Sequence, residues 1–136
     1  MSVEFYKDKK SENRWHIVDD GDVVHACHEG FRNEHGALQN LFINHAMMSI
    51  FVAAVAQGGS DGGHGNVYFE EDADHKIRWK IKANNGEPVG VAHKGFNDMF
   101  EAMDNLIITY TMLTVFVAEM AQVKSAVLEE SEDGNV

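Results

Sequence analysis

Displaced by 65 residues, the sequence matches itself. His28, Gly30, Phe31, Ala37, Asn40, Leu41, Phe51, Val52 and Gln57 fall on His93, Gly95, Phe96, Ala102, Asn105, Leu106, Phe116, Val117 and Gln122. Upstream the displacement is 64, so that Arg14-Trp15-His16-Ile17 falls on Arg78-Trp79-Lys80-Ile81, and one residue has been gained in between. A duplication of this kind narrows the fold sharply. Each copy is one supersecondary unit that cannot hide its own apolar face, so the two copies must share a core.

Each unit opens with short runs of period two. Val3 and Phe5, Trp15 and Ile17, Val24 and Ala26 alternate with polar neighbours, and Val67 and Phe69, Trp79 and Ile81, Val89 and Val91 repeat the pattern. β-Branched and aromatic residues at that spacing predict strands with one buried face. Asp20-Gly21 and Asn85-Gly86 supply the residues that tight hairpin turns demand. After Gly30-Phe31 and Gly95-Phe96 the pattern becomes helical, with Asn33 and Asn97 placed as N-caps. The helices run from Ala37 to Gln57 and from about Asp98 to about Leu128, and no proline or glycine interrupts either. The organisation expected is a first repeat over 1–57, a Gly-rich linker over 58–66, a second repeat over 67–128, and a disordered acidic tail over 129–136. The expected fold class is α+β: two β-β-β-α repeats sharing one antiparallel sheet, with two long helices packed on one face.

Ala46 to Ala56 has only Ser49 as a polar break, and Leu106 to Val117 is broken only by Thr109, Tyr110, Thr111 and Thr114. Helices this apolar are buried on most sides or enter a membrane. The unbroken stretches fall short of the ~20 residues a bilayer needs, and Asn40, Asn44, His45 and Glu119 lie in or near them. No membrane is therefore expected. One small sheet hides too little of such helices, so a homodimer through the long helices is expected instead. The chain carries 22 acidic and 11 basic residues, a formal charge of -11. That field opposes phosphate-backbone binding, and nucleic acid is an unfavoured partner. The single Cys27 forms no internal disulfide, and no signal-like segment opens the sequence, so the expected location is cytoplasmic.

Phe5-Tyr6-Lys7-Asp8-Lys9 followed by Arg14-Trp15, then Gly30-Phe31, together with Lys82-Ala83-Asn84-Asn85-Gly86-Glu87 and Gly95-Phe96, resemble the unit of the UPF0339 or DUF1508 family, the YegP-like proteins. The resemblance covers residues 3 to about 43 and 67 to about 108, and the Ala-Asn-Asn-Gly-Glu turn is its most specific part. It implies a β-β-β-α unit assembled in pairs, as a tandem repeat or a homodimer, around one antiparallel sheet. It carries no established enzymatic activity and hence no catalytic residues. In the family unit the helix is short and a further, exchanged strand follows it; here both helices run on and no strand is evident after Leu128.

Alternation places Tyr6, Arg14, His16 and His25 of the first unit, and Tyr68, Arg78, Lys80 and Lys82 of the second, on the outward sheet face. Aromatic rings among cations on an open sheet suit base stacking and phosphate contacts; the plainer account is a solvated face whose cations pair with Glu4, Glu70 and their neighbours across strands. The pseudo-symmetric His28 and His93 are expected on the core side with Val24 and Ala26, each bonding the turn into its helix, with a metal or small anion between them as the sharper alternative. His25-Ala26-Cys27-His28 splits across two faces, so no metal site and no cofactor are expected, and Cys27 has no base to activate it. The methionines of the helical segments serve as core filler or as an adaptable contact surface. No carboxylate pair, triad or phosphate loop is present to support catalysis. The function expected is a non-enzymatic, acidic protein-interaction module, acting as an inhibitor or regulator of a basic nucleic-acid-handling protein by charge mimicry. The alternative is small-ligand or single-stranded nucleic-acid binding through the outward sheet face.

Overall fold

The three alternating runs of each half form meanders, and each meander feeds a helix. In a computed structural model, which describes residues 2–58, 66–92 and 94–134 with side chains as far as Val123, the first half comprises β1 (Ser2–Lys7), β2 (Asn13–Asp19), β3 (Asp22–Cys27) and α1 (Glu34–Ala56). The second comprises β4 (Val67–Glu71), β5 (Ile77–Lys82), β6 (Pro88–Ala92) and α2 (Met99–Gly134). The six strands form one sheet in the order β1-β2-β3-β6-β5-β4, antiparallel throughout. The halves join where β3 meets β6, with Ala26 opposite Val91 and flanking pairs His25–Ala92 and Cys27–Gly90.

Local chemistry is duplicated in detail. Asp8 Oδ1 accepts the amides of Lys10 and Glu12, and Asp72 Oδ1 those of Asp74 and Lys76, closing the β1–β2 and β4–β5 turns alike. Asn13 and Phe31 exchange backbone hydrogen bonds, as do Ile77 and Phe96. These bonds draw the segments leading into the helices against the turns. A Cβ at Gly30 would stand 2.5 Å from that of Glu12, and one at Gly95 2.4 Å from that of Lys76.

Both helices lie on one face of the sheet, over a core of Trp15, Ile17, Leu41, Met48, Phe51, Trp79, Ile81, Leu106 and Leu113. They cross between halves. Phe51 of α1 meets Phe69 of β4 with ring centroids 5.8 Å apart, and Phe116 of α2 meets Phe5 of β1 at 5.9 Å. Each half therefore finishes the other's core, as a unit unable to bury its own apolar face requires.

Four expectations need correction. Ile17 opposes His25 while Val18 opposes Val23, and Ile81 opposes Gly90 while Lys82 opposes Pro88. Val24 and Val89 are thus extra residues in β-bulges, and one extra residue reverses which face the rest of a strand presents. His25 and Cys27 consequently face the helices and are buried, while Ala26 turns outward. His28 lies beyond the end of β3 and is exposed, not on the core side. The second helix is capped by Asp98, whose Oδ1 accepts the Glu101 amide at 2.9 Å, and Glu101 reaches back to the amide of Asn97; the Asn97 side chain instead meets Lys76. Finally, α2 continues to Gly134, past the start of the expected disordered tail, since Glu, Ser and Asp with no proline among them tolerate helix. Asn33 does cap α1, accepting the Gly36 amide. Residues 59–65 of the expected linker and His93 lie outside the described residues, and among those described no strand follows α2.

Candidate functional site

The outward sheet face collects the residues that alternation assigned to it, His25 excepted. One row crosses all six strands as Glu4, His16, Ala26, Val91, Lys80 and Tyr68. Tyr6, Arg14 and His16 stand together at one end, and Tyr68, Arg78, Lys80 and Lys82 at the other. Their charges are engaged. Arg14 Nε lies 2.6 Å from Asp8 Oδ2, Arg78 Nε 2.8 Å from Asp72 Oδ2, Lys80 Nζ 2.7 Å from Glu70, and His16 Nε2 2.8 Å from Glu4. Lys82 Nζ sits 4.9 Å over the Tyr68 ring, and the Tyr6 and His16 rings are 4.6 Å apart. The Arg14 guanidinium holds the Asp8 carboxyl below its ordinary range, Arg78 does the same to Asp72, and Lys80 to Glu70. A shallow groove of about 390 Å³ runs along β5, bordered by His28, Glu70, Asp72, Arg78, Lys80 and Val91. Three acids, Glu70, Glu71 and Asp72, face two bases, Arg78 and Lys80, along it, which suits solvation better than a polyanion.

The bulges bring a polar group inside that parity could not foresee. His25 has no exposure. Its ring stacks on Trp79 at 4.6 Å with planes 14° apart, touches Trp15 at 5.5 Å, and places Nε2 3.2 Å from Asn44 Oδ1. The Asn44 amide donates to Asn40 O and across the half-boundary to Val89 O, and Asn40 Oδ1 accepts the Trp15 indole N–H. Trp79 repeats that last contact with Asn105. Burial drives the His25 imidazole down to about 4, against the modest opposing pull of Asn44 and the Val91 backbone. Cys27 is buried, its thiol pushed up by desolvation and its sulfur taking the Trp15 amide; it is no nucleophile. Among the described residues no three His, Cys, Asp or Glu side chains converge as metal ligands. The second signal for the interior cluster was the repeat itself, because His25 aligns with glycine and Asn44 with threonine.

The third surface is the outer side of the helices. Phe42, Ile43 and Ile50 of α1 and Ile107, Ile108 and Val115 of α2 are all exposed, the last five between 44% and 58%. They are equivalent pairs in the repeat (42 with 107, 43 with 108, 50 with 115), so the patch has the internal twofold of the molecule. Between them runs a polar seam in which His45 stacks on Tyr110 at 5.3 Å and bonds Thr114 Oγ1 at 2.9 Å. Ser49, Thr111 and Thr114 donate their hydroxyls to the carbonyls of His45, Ile107 and Tyr110. Partial burial lowers the His45 pKa. By length and composition, Glu34–Ala56 and Met99–Val123 each suffice to cross a membrane, with 28% and 17% of their apolar windows buried.

Two meanders of three strands, paired edge to edge beneath crossed helices, make an α+β fold shared with known structures. This is the fold of the UPF0339 or YegP-like proteins. A UPF0339 protein from Shewanella oneidensis superposes with a TM-score of 0.61 at 12% identity, over 82% of this chain and 83% of that one. YegP from E. coli, described as a protein of unknown function, superposes with a TM-score of 0.57 at 12% identity, over 83% of this chain and 85% of that one. The sequence matches no family model and no curated protein. The likeness is therefore one of fold.

Proposed function

We propose that this protein is a non-enzymatic interaction module whose contact surface is the outer side of α1 and α2, with a second copy of the chain as its occupant. The observation that carries the reading is the exposed apolar helical layer. No Lys or Arg occurs from Glu34 to Ala56 or from Met99 to Val123, and no charged residue from His35 to Ala56 or from Asn105 to Ala118. Exposed apolar side chains gathered on both sides of an internally bonded seam mark a contact site. The hydroxyls of the seam donate to backbone carbonyls of their own helices, so the face loses little by drying. Two chains of charge -11 repel wherever acids meet; this charge-free layer is where they approach at least cost.

A bilayer is the poorer occupant. The sheet covers the other side of both helices, and its Arg14, Arg78 and Lys80 ion pairs would have to enter hydrocarbon for the helices to span. Helices that lie in a lipid interface carry Lys and Arg on their polar margin, and these do not. With the helices paired, the outward faces and their acidic turns are left for a further partner. The net charge favours a basic protein that handles nucleic acid, regulated by charge mimicry. The groove along β5 supports small-ligand binding as a second reading, and oligonucleotide or ligand binding lost in Arg78→Ala plus Lys80→Ala is its test.

The main reading is tested by light scattering on the purified full chain. We expect twice the chain mass at micromolar concentration for the wild type, and the single-chain mass for Ile43→Asp plus Ile108→Asp with an unchanged circular dichroism spectrum. A monomeric wild type, or a dimer indifferent to both aspartates, refutes it.

A further inference from the structure

The internal twofold passes between Ala26 and Val91 in the sheet and between His45 and Tyr110 in the helical layer, which are equivalent positions of the repeat. What lies between those points is not duplicated. His25 stands where the second half has Gly90, and Asn44 where it has Thr109. We infer that His25 and Asn44 on one side, and Gly90 and Thr109 on the other, form a pairing lock that makes the two halves accept each other and reject a copy of themselves.

The steric case is direct. A Cβ at position 90 would lie 1.8 Å from Asn44 Oδ1, 2.9 Å from Asn44 Cγ and 3.0 Å from His25 Nε2. Two first halves in the same register would bring a second histidine to that spot, its Cβ inside the partner's Asn44 and its ring against the first. The Cβ itself cannot move aside, so relief would require the buried Asn44 side chain to swing away from the Asn40 and Val89 carbonyls it bonds. Two second halves would have the opposite fault. With glycine and threonine on both sides, nothing would fill the space that the His25 ring occupies between Trp15 and Trp79, and the Val89 carbonyl would lose the Asn44 amide. Thr109, the counterpart of Asn44, is buried, and its hydroxyl has no hydrogen-bond partner among the described residues. Peripheral pairs behave otherwise: Trp15–Asn40 and Trp79–Asn105 are kept in both halves. Residues that never meet their own copy are free to stay alike. Those on the axis must differ if a mixed pair is to be preferred, which is discrimination built from a repulsive element as well as an attractive one.

The lock is tested by making the axis symmetric and then reversing it. Gly90→His plus Thr109→Asn gives a chain with two first-type halves; His25→Gly plus Asn44→Thr gives one with two second-type halves; all four substitutions together restore complementarity with the roles exchanged. Thermal unfolding of the three full-length chains is compared with the wild type. We expect the first-type chain to lose about 5–15 °C in Tm or its cooperative transition altogether, as overpacking does, the second-type chain to fall as a cavity requires, and the fourfold variant to recover at least half of the larger loss. A fourfold variant no more stable than the worse double variant overturns the inference. So does a first-type chain that melts like the wild type. Because the fourfold chain contains every substitution of the two others, its recovery cannot be ascribed to tolerance of any one residue.

Discussion

Acidification from pH 7 to pH 4 should weaken this protein by about 3 kcal/mol through a single ring. His25 is wholly buried and its imidazole titrates at about 4 rather than 6.5, a difference worth about 3.4 kcal/mol at ~1.4 kcal/mol per pH unit. Below pH 6.5 the unfolded chain takes up a proton that the folded one refuses, so stability is full above that value, falls as the pH drops, and levels once the buried ring also protonates near 4. Linkage puts about 2 kcal/mol of the loss between pH 7 and pH 5, a window in which the salt-bridged carboxylates of Asp8, Asp72 and Glu70 stay ionised. His45, also lowered by burial, adds in the same direction and is present in both proteins compared. The comparison is with His25→Phe, which keeps a flat ring against Trp79 but leaves Asn44 Oδ1 without its ring partner, at a cost of about 1–3 kcal/mol at pH 7. Urea midpoints and slopes at pH 7, 6 and 5 should converge for the two proteins, with the variant nearly level with the wild type at pH 5. Parallel curves, or an NMR titration of the folded His25 ring near 6.5, would refute the reasoning.

Gly30→Ala and Gly95→Ala should each cost about 1–3 kcal/mol in urea unfolding, because each methyl would meet the Cβ of Glu12 or Lys76 at close to 2.5 Å or less; losses differing by more than about 1 kcal/mol would show that the two turns are not equivalent. At the start of α2, Asp98→Ala should cost about 1 kcal/mol and Asn97→Ala much less, since Asp98 and not Asn97 accepts an amide of the first turn; the reverse ranking by thermal denaturation would contradict the cap.

The repeat, the six strands and both helices were legible because period two and the helical run are carried by residues that hold those places in both copies. The outward placement of Tyr6, Arg14, His16, Tyr68, Arg78, Lys80 and Lys82 was legible for the same reason. Of their partners, Glu4 and Glu70 were legible across the strands, against His16 and Lys80, while Asp8 and Asp72 were not. That Asp8 rather than Glu4 engages Arg14 depends on a turn whose amides bind the same carboxylate, and alternation says nothing of turns. The interior His25 was lost to a bulge, and a single unpaired residue at Val24 has no sequence mark strong enough to betray it. The extent of α2 was misjudged because an acidic tail reads alike whether it frays or continues a helix.

Gly90 and His25 carry a more general point about duplicated folds. Identity between copies reports what each half needs in order to form: Gly30 and Gly95 under their turns, Trp15 and Trp79 on their asparagines, Asp8 and Asp72 with their arginines. None of these residues meets its own counterpart. At the axis each residue faces its equivalent, and a pair of identical large side chains either collides or must be accommodated by distortion. Once two halves are joined in one chain that constraint is lifted, because a knob on one side can answer a hole on the other. A mismatch of this size inside a well-aligned repeat, histidine against glycine and asparagine against threonine, is therefore what a joined chain permits at its axis. The constraint lifted is the steric cost of symmetry, and the His25 ring stacked on a tryptophan of the opposite half is where that cost is avoided.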